Sequence, residues 1–170
     1  MNNTTVRLYS LPISDIRTYL FASLFVAGNI MLPQLCHLIP QGGFIFLPIY
    51  FFTLIGAYKY GWRVGFLTAV LSPIINSALF GMPAAAMLPI IITKSSLLAI
   101  IASLVARHRQ AVTILSLVTV VLAYQVLGGI AEGLICGDML AGVQDFRLGY
   151  PGMLLQVLGG YALLKYVLNK

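Results

Sequence analysis

"PIIITKSSLLAIIASLVARHRQAVTILSLVTVVLAYQVLGGIAEGLIC", residues 89–136, decides the fold. Two apolar runs flank the basic turn "ARHRQ" at 106–110. The hydrocarbon core of a bilayer is about 30 Å thick and needs about 20 mainly apolar residues per helix, so this stretch predicts a membrane-spanning helical hairpin. The basic turn falls where water begins. Inside the runs stand a few polar residues, notably Lys94 in the first and Gln125 and Glu132 in the second.

The rest of the chain extends this pattern. Of its 170 residues, 60% are hydrophobic and only 8% charged, and the mean hydropathy is +0.97, which describes an all-α integral membrane protein rather than a soluble domain. Apolar stretches bounded by turn signals fall at about 18–36, 44–59, 62–80, 84–106, 111–136 and 149–168. A single membrane domain of six helices over residues 1–170 is therefore expected. The second span is short and carries Pro48, so it is expected to be kinked or partly interfacial. Basic residues before the first apolar stretch resemble a secretory signal. That stretch, however, runs to Pro33 without a small-residue cleavage site, and retention as a first span is expected.

With six spans, the N-terminal segment, "YKYGWR", "ARHRQ" and the C-terminus share one side. Together they hold Arg7, Arg17, Lys59, Arg63, Arg107, Arg109, Lys165 and Lys170, and the other side has Arg147. Basic loops stay in the cytoplasm, so both termini are expected there, with Tyr58, Tyr60 and Trp62 in an interfacial aromatic belt. The net charge of +6 thus reflects topology; no basic face interleaved with aromatics points to nucleic acid. Cys36 and Cys136 belong to no CxxC and are expected as free buried thiols, and Cys36-His37 alone is no metal ligand set. There is no G-x-S-x-G, H-E-x-x-H or P-loop, so no enzyme is expected, and any ATP-driven work would need another subunit.

Polar residues gather on the non-basic side of the bundle. At 1.5 Å per residue, Lys94 is expected about 15 Å deep and level with Gln125, with Glu132 nearer the surface. Gln125 and Glu132 share a face with Gly128 and Gly129 between them, which suggests a slot. Gly152, Gln156, Gly159 and Gly160 repeat the arrangement on the sixth helix, and Asn76 lies near the outer end of the third. An intramembrane charge costs about 2.5–3.5 kcal/mol, so Lys94 and Glu132 are expected to face the bundle interior. They either pair with each other and hold helices together or line a polar ligand pocket open to the outside. A proton path would require a fuller chain of ionisable groups. The loop from Cys36 to Gln41 suits a lid that brings His37 and Gln41 to a ligand, and Asp145, Arg147 and Tyr150 are further loop candidates. Ser23 and Ala27 form a small-xxx-small pair that permits close helix approach, inside the bundle or against another protein.

"TLIGAYKYGWRVGFLTAVLSPIINSALFG", "MLPIIITKSSLLAIIASLVAR" and "YPGMLLQVLGGYALL", set among six spans, give the chain a resemblance to the substrate-binding S components of energy-coupling factor (ECF) transporters. The resemblance implies capture of a water-soluble vitamin or vitamin precursor in an outward-open pocket beneath the first outer loop. It further implies a bacterial cytoplasmic membrane location, no cofactor on this chain, and association with a transmembrane coupling subunit and two ATPase subunits that consume ATP. It also implies toppling of the chain within the bilayer during transport. In that family small residues of the first helix, often Ala-xxx-Ala, meet the coupling subunit; here the positions read Ser23-xxx-Ala27. A non-catalytic structural membrane subunit and a self-sufficient carrier are the rival expectations.

Overall fold

Helix starts and stops obey local chemistry. The Asp15 carboxylate accepts a hydrogen bond from the Arg17 N–H at 2.9 Å and starts α1, Ile16–Cys36. In a computed structural model that describes residues 8–168, the side chains of residues 144 and 145 excepted, every regular element is helical. After α1 come α2 (Gly42–Phe46), a 3-10 turn (Pro48–Tyr50), α3 (Phe51–Tyr60) and α4 (Trp62–Phe80). A second 3-10 turn (Ala85–Met87) leads into α5 (Leu88–Arg109), and the Thr113 hydroxyl caps α6 (Ile114–Cys136) through the Ser116 N–H. A third turn (Ala141–Val143), α7 (Gln144–Leu148) and α8 (Tyr150–Ala162) complete the bundle, with a π-helical continuation at Leu163–Val167.

Among the described residues, four helices are long and apolar enough to cross a membrane: α1, α4, α5 with its preceding turn, and α6. The stretches expected at 44–59 and 149–168 behave differently. The first breaks at Leu47, whose φ of 47° is left-handed, because the residue before Pro48 is pushed out of the right-handed helical region. Burial of Leu47 holds that conformation, and the helix beyond the 3-10 turn has only 10 residues. The second is a 13-residue α-helix that loosens into π geometry. Arg7 and Lys170 lie outside the described residues.

Short α3 is the centre of the bundle. All its residues from Thr53 to Tyr60 are buried, and it packs against α1, α4, α5 and α8. Glycines make this possible. Gly28 of α1 receives the Phe52 ring and Gly56 of α3 receives the Phe25 ring, where an added Cβ would lie 2.8 and 2.9 Å from ring carbons. Gly61 alone joins α3 to α4 with φ 95° and ψ 171°, a region open essentially to glycine, so the chain reverses in one residue. The outer surface stays apolar: Leu20, Leu24, Leu104, Leu115, Leu134 and Leu158 are all exposed, as the lipid-facing side of a membrane bundle requires. Of the expected aromatic belt only Trp62 is exposed. Tyr58 and Tyr60 turn inward, Tyr60 stacking on Phe21 with ring centroids 4.0 Å apart. The thiols are free, but Cys36 is only half-buried and Cys136 is exposed, because both sit at helix ends.

A polar girdle ties α1, α3 and α4 together. Pro33 has no N–H, which strips the Asn29 carbonyl of its intrahelical partner, and the Asn76 amide donates to that carbonyl at 3.3 Å. The Asn29 side chain accepts from the Phe52 N–H at 3.1 Å, satisfying one orphan donor at the start of α3. Its amide donates to Thr53 at 3.0 Å and Ser72 at 3.3 Å. Two asparagines thus answer for two backbone defects, Asn76 for the carbonyl that Pro33 frees and Asn29 for the Phe52 N–H.

Candidate functional site

Helices α5 and α6 form the predicted hairpin and carry the ion pair that the polar residues anticipate. Lys94 lies six residues, about 9 Å, into α5, shallower than expected because α5 begins at Leu88. Its stem crosses Gly128, where an added Cβ would lie 3.0 Å from Cγ and 3.6 Å from Cβ. Lys94 is therefore level with Gly128, and Gln125 stands nearly one helical turn deeper. From Gly128 the lysine turns toward the loop-bearing end and donates from Nζ to Glu132 Oε2 at 2.8 Å. Lys94 is buried, while the Glu132 side chain keeps 12% of its surface exposed.

Above this pair opens a cavity of about 310 Å³. Its polar lining comes from Asn76, Lys94, Glu132 and His37, four of the sequence-predicted residues brought together. Pro48, Ile49, Tyr50, Met87, Ile90 and Ile91 make its walls apolar. His37, Gly43, Phe44 and the turn Met82–Ala84 also border it. The His37 ring lies close over Gly43, where an added Cβ would stand 2.8 Å from Nε2, so glycine is needed for the loop to fold down there. The loop bordering the cavity thus extends past Gln41 into α2, and Phe44 rather than Gln41 contributes to the lining.

The other predicted residues stand elsewhere. Gln41 is exposed at a left-handed position that begins α2 and does not line the cavity. Arg147 and Tyr150 are exposed away from it, Tyr150 because it opens α8 with its ring outward. Asp145 belongs to α7, and its side chain lies outside the described residues. Ser23 and Ala27 are exposed on the outer face of α1, which removes the internal-packing alternative for that pair.

Gln125 and Gln156 are buried but do not line the cavity. The Gln156 Oε1 accepts from the Tyr124 hydroxyl at 2.9 Å, and the Tyr124 ring packs on Tyr50, with centroids 5.7 Å apart. A continuous chain of side chains therefore links the cavity wall to α8. Both amide atoms of Gln125, the Gln156 Nε2 and the Ser95 Oγ are buried without a hydrogen-bond partner among the described residues. Each such group costs about 1–3 kcal/mol. The expected glycine slots are filled by the protein itself. Lys94 occupies Gly128, the Gly142 backbone packs on Gly129, and the Phe46 carbonyl lies against Gly152, so these glycines admit neighbours.

Asn76 serves the fold as well as the cavity. Its amide is committed to Asn29, and its Oδ1 accepts from the Gln34 amide at 3.1 Å. Asn29, Gln34, Thr53 and Ser72 were not predicted. The available signal was an asparagine four residues before Pro33 within one apolar run, the spacing at which a proline frees a carbonyl.

Chemically, the lining offers a fixed pair of opposite charges in apolar walls. A bare anion or cation entering would have to break a largely buried pair, a cost of about 3–5 kcal/mol. A neutral or zwitterionic group could instead hydrogen-bond to the pair intact. No protein-family model, curated protein or solved structure matches this chain.

Proposed function

We propose that this protein is the substrate-capture subunit of an ATP-driven, ECF-type importer for a water-soluble vitamin or vitamin precursor. The observation that carries the proposal is the cavity of about 310 Å³, which joins Asn76, Lys94, Glu132 and His37 beneath a folded loop at the end of the bundle away from most basic residues. Its volume lies at the lower end of small-molecule sites, about 300–1,000 Å³, and its few polar groups among apolar walls suit a compact heterocycle. In this reading the ligand's ring rests between Tyr50, Ile90 and Ile91. Its polar edge meets the Lys94–Glu132 pair, and the Gln125 amide and the Gln156 Nε2 find their partners on the ligand when the inner wall adjusts.

The membrane arrangement that goes with this function has six crossings. The α2–α3 segment and α8 with its π continuation complete the four long helices, and their shortness is compensated by burial of their backbone within the bundle. Arg17, Lys59, Arg63, Arg107, Arg109 and Lys165 would face the cytoplasm with both termini, in a bacterial cytoplasmic membrane. Exposed Ser23 and Ala27 offer a low-relief surface for the coupling subunit, and ATP hydrolysis lies in two further partner subunits.

Equilibrium binding to a panel of vitamins and precursors tests the proposal. Saturable affinity for one compound, weakened by Lys94→Ala, is the expected result. The closed Lys94–Glu132 pair favours one alternative, a structural subunit in which the pair only joins α5 to α6. Under that alternative no compound binds and Lys94→Ala changes stability alone.

A further inference from the structure

At the basic end a second cavity, of about 160 Å³, lies between the segment before α1, the α3–α4 turn and the end of α5. The Tyr9 N–H donates to the Lys59 carbonyl at 2.8 Å and the Leu11 N–H to the Tyr60 carbonyl at 3.3 Å, so this segment is strapped across the end of α3. Three lining donors are already satisfied: the Tyr58 hydroxyl donates to the Ala111 carbonyl at 2.8 Å, the Ser103 hydroxyl to the Ala57 carbonyl at 3.0 Å and the Gln110 amide to the Arg107 carbonyl at 2.8 Å. The remaining donors of the lining are different. Among the described residues, none gives a hydrogen-bond partner to the Arg107 guanidinium, the Trp62 indole N–H or the Ser10 hydroxyl, and no carboxylate lines the cavity.

The charge around it is one-sided. Arg17, Lys59, Arg63, Arg107, Arg109 and Lys165 belong to this end, where Asp15 is the single acid among the described residues and its carboxylate is occupied in capping α1. The Lys59 ammonium lies 5.3 Å from the centroid of Tyr9, a lining residue. A planar arginine fork beside neutral donors, with no acid to compete, matches the free anionic oxygens of a phosphate group. The surface beside the cavity matches the rest of a lipid. Trp62 and Phe66, one helical turn apart on α4 with centroids 6.4 Å apart, are both exposed and form an apolar strip running from the cavity along the outside of the bundle.

We propose that this cavity binds a phosphate-bearing anion, supplied in the membrane by an anionic phospholipid whose headgroup meets Arg107, Trp62 and Ser10 and whose acyl chain lies along Trp62 and Phe66. The strip on α4 is the feature that favours a lipid over free phosphate. The proposal rests on membrane insertion and not on what the first cavity captures.

Thermal unfolding of the purified full chain in neutral detergent tests it, with titration of dioctanoyl phosphatidylglycerol, dioctanoyl phosphatidylcholine or inorganic phosphate. Phosphatidylglycerol is expected to raise the midpoint saturably and phosphatidylcholine is not. Arg107→Gln, at an exposed position, should raise the half-saturating concentration about tenfold, the loss of one charge-assisted hydrogen bond. Ser10→Leu, which narrows the cavity without changing charge, should do the same. Arg17→Gln, which alters the charge of this end outside the cavity, should shift it less than about twofold. A response to inorganic phosphate with the same Arg107 dependence would support the site with the free anion as its source. Equal responses to both lipids, or equal behaviour of wild type and Arg107→Gln, would overturn the proposal.

Discussion

Gln125→Leu removes two buried amide atoms that have no hydrogen-bond partner among the described residues, and puts a side chain of similar volume in their place. An unpaired buried polar group costs about 1–3 kcal/mol, whereas an apolar group of like shape carries no such penalty. The ligand-free variant is therefore expected to be at least as stable as wild type, with a gain on the order of 1 kcal/mol. Binding should move the other way. If a ligand uses both the donor and the acceptor of Gln125, losing two neutral hydrogen bonds at about 0.5–1.5 kcal/mol each weakens affinity about tenfold. Thermal unfolding without ligand, paired with equilibrium titration of whichever vitamin wild type binds, separates the two effects. A variant that is stabilised and binds poorly matches the reasoning. Destabilisation by more than about 1 kcal/mol would show that the amide has a structural partner, and unchanged affinity would remove Gln125 from the ligand site.

Single changes at the ion pair should be costly and their combination less so. Lys94→Met or Glu132→Gln should each lower stability by about 3 kcal/mol, and the double variant by less than the sum, as read by a denaturant double-mutant cycle. Asn29→Leu should cost about 2–4 kcal/mol and speed amide exchange at the start of α3, because it orphans the Phe52 N–H and removes the donor that the Thr53 and Ser72 hydroxyl oxygens accept from; unchanged exchange there would contradict the capping role. Gly65→Leu should be among the most damaging substitutions, since even a Cβ there would lie 2.8 Å from the Ala57 Cα and force α4 away from α3; native-like yield and melting would refute that contact. Ser23→Leu with Ala27→Leu should leave stability within about 0.5 kcal/mol and abolish co-purification with a coupling subunit, if the proposed assembly is right.

Long-range contacts explain what the sequence revealed and what it hid. The hairpin of α5 and α6 was legible because an apolar run the length of a bilayer crossing admits few other structures, and the Lys94–Glu132 pair was one of two outcomes that its depth allowed. The central role of α3 was not legible. A buried 10-residue helix has the same apolar composition as half a membrane span, and Pro48 marked the break without revealing that the remainder is surrounded on all sides. Glycine-bearing faces on α6 and α8 were visible as faces. Their occupants were not, because the Lys94 stem, the Gly142 backbone and the Phe46 carbonyl come from distant parts of the chain. Gln41, Arg147 and Tyr150 looked suitable by residue type and loop position, but a loop residue's direction depends on φ and on what the loop packs against. Asn29 was not legible because an uncharged residue in a span stands out less than a lysine, and because the carbonyl that Pro33 frees there is met by Asn76 from a distant helix.

Native mass spectrometry of the protein purified gently in neutral detergent addresses the central claim most directly. Capture of a small molecule above the Lys94–Glu132 pair predicts one vitamin-sized adduct per chain, lost in a variant that fills the cavity, Ile91→Trp, while the protein remains folded. A bare chain mass under all solution conditions, with no adduct restored by any vitamin in the panel, would contradict it.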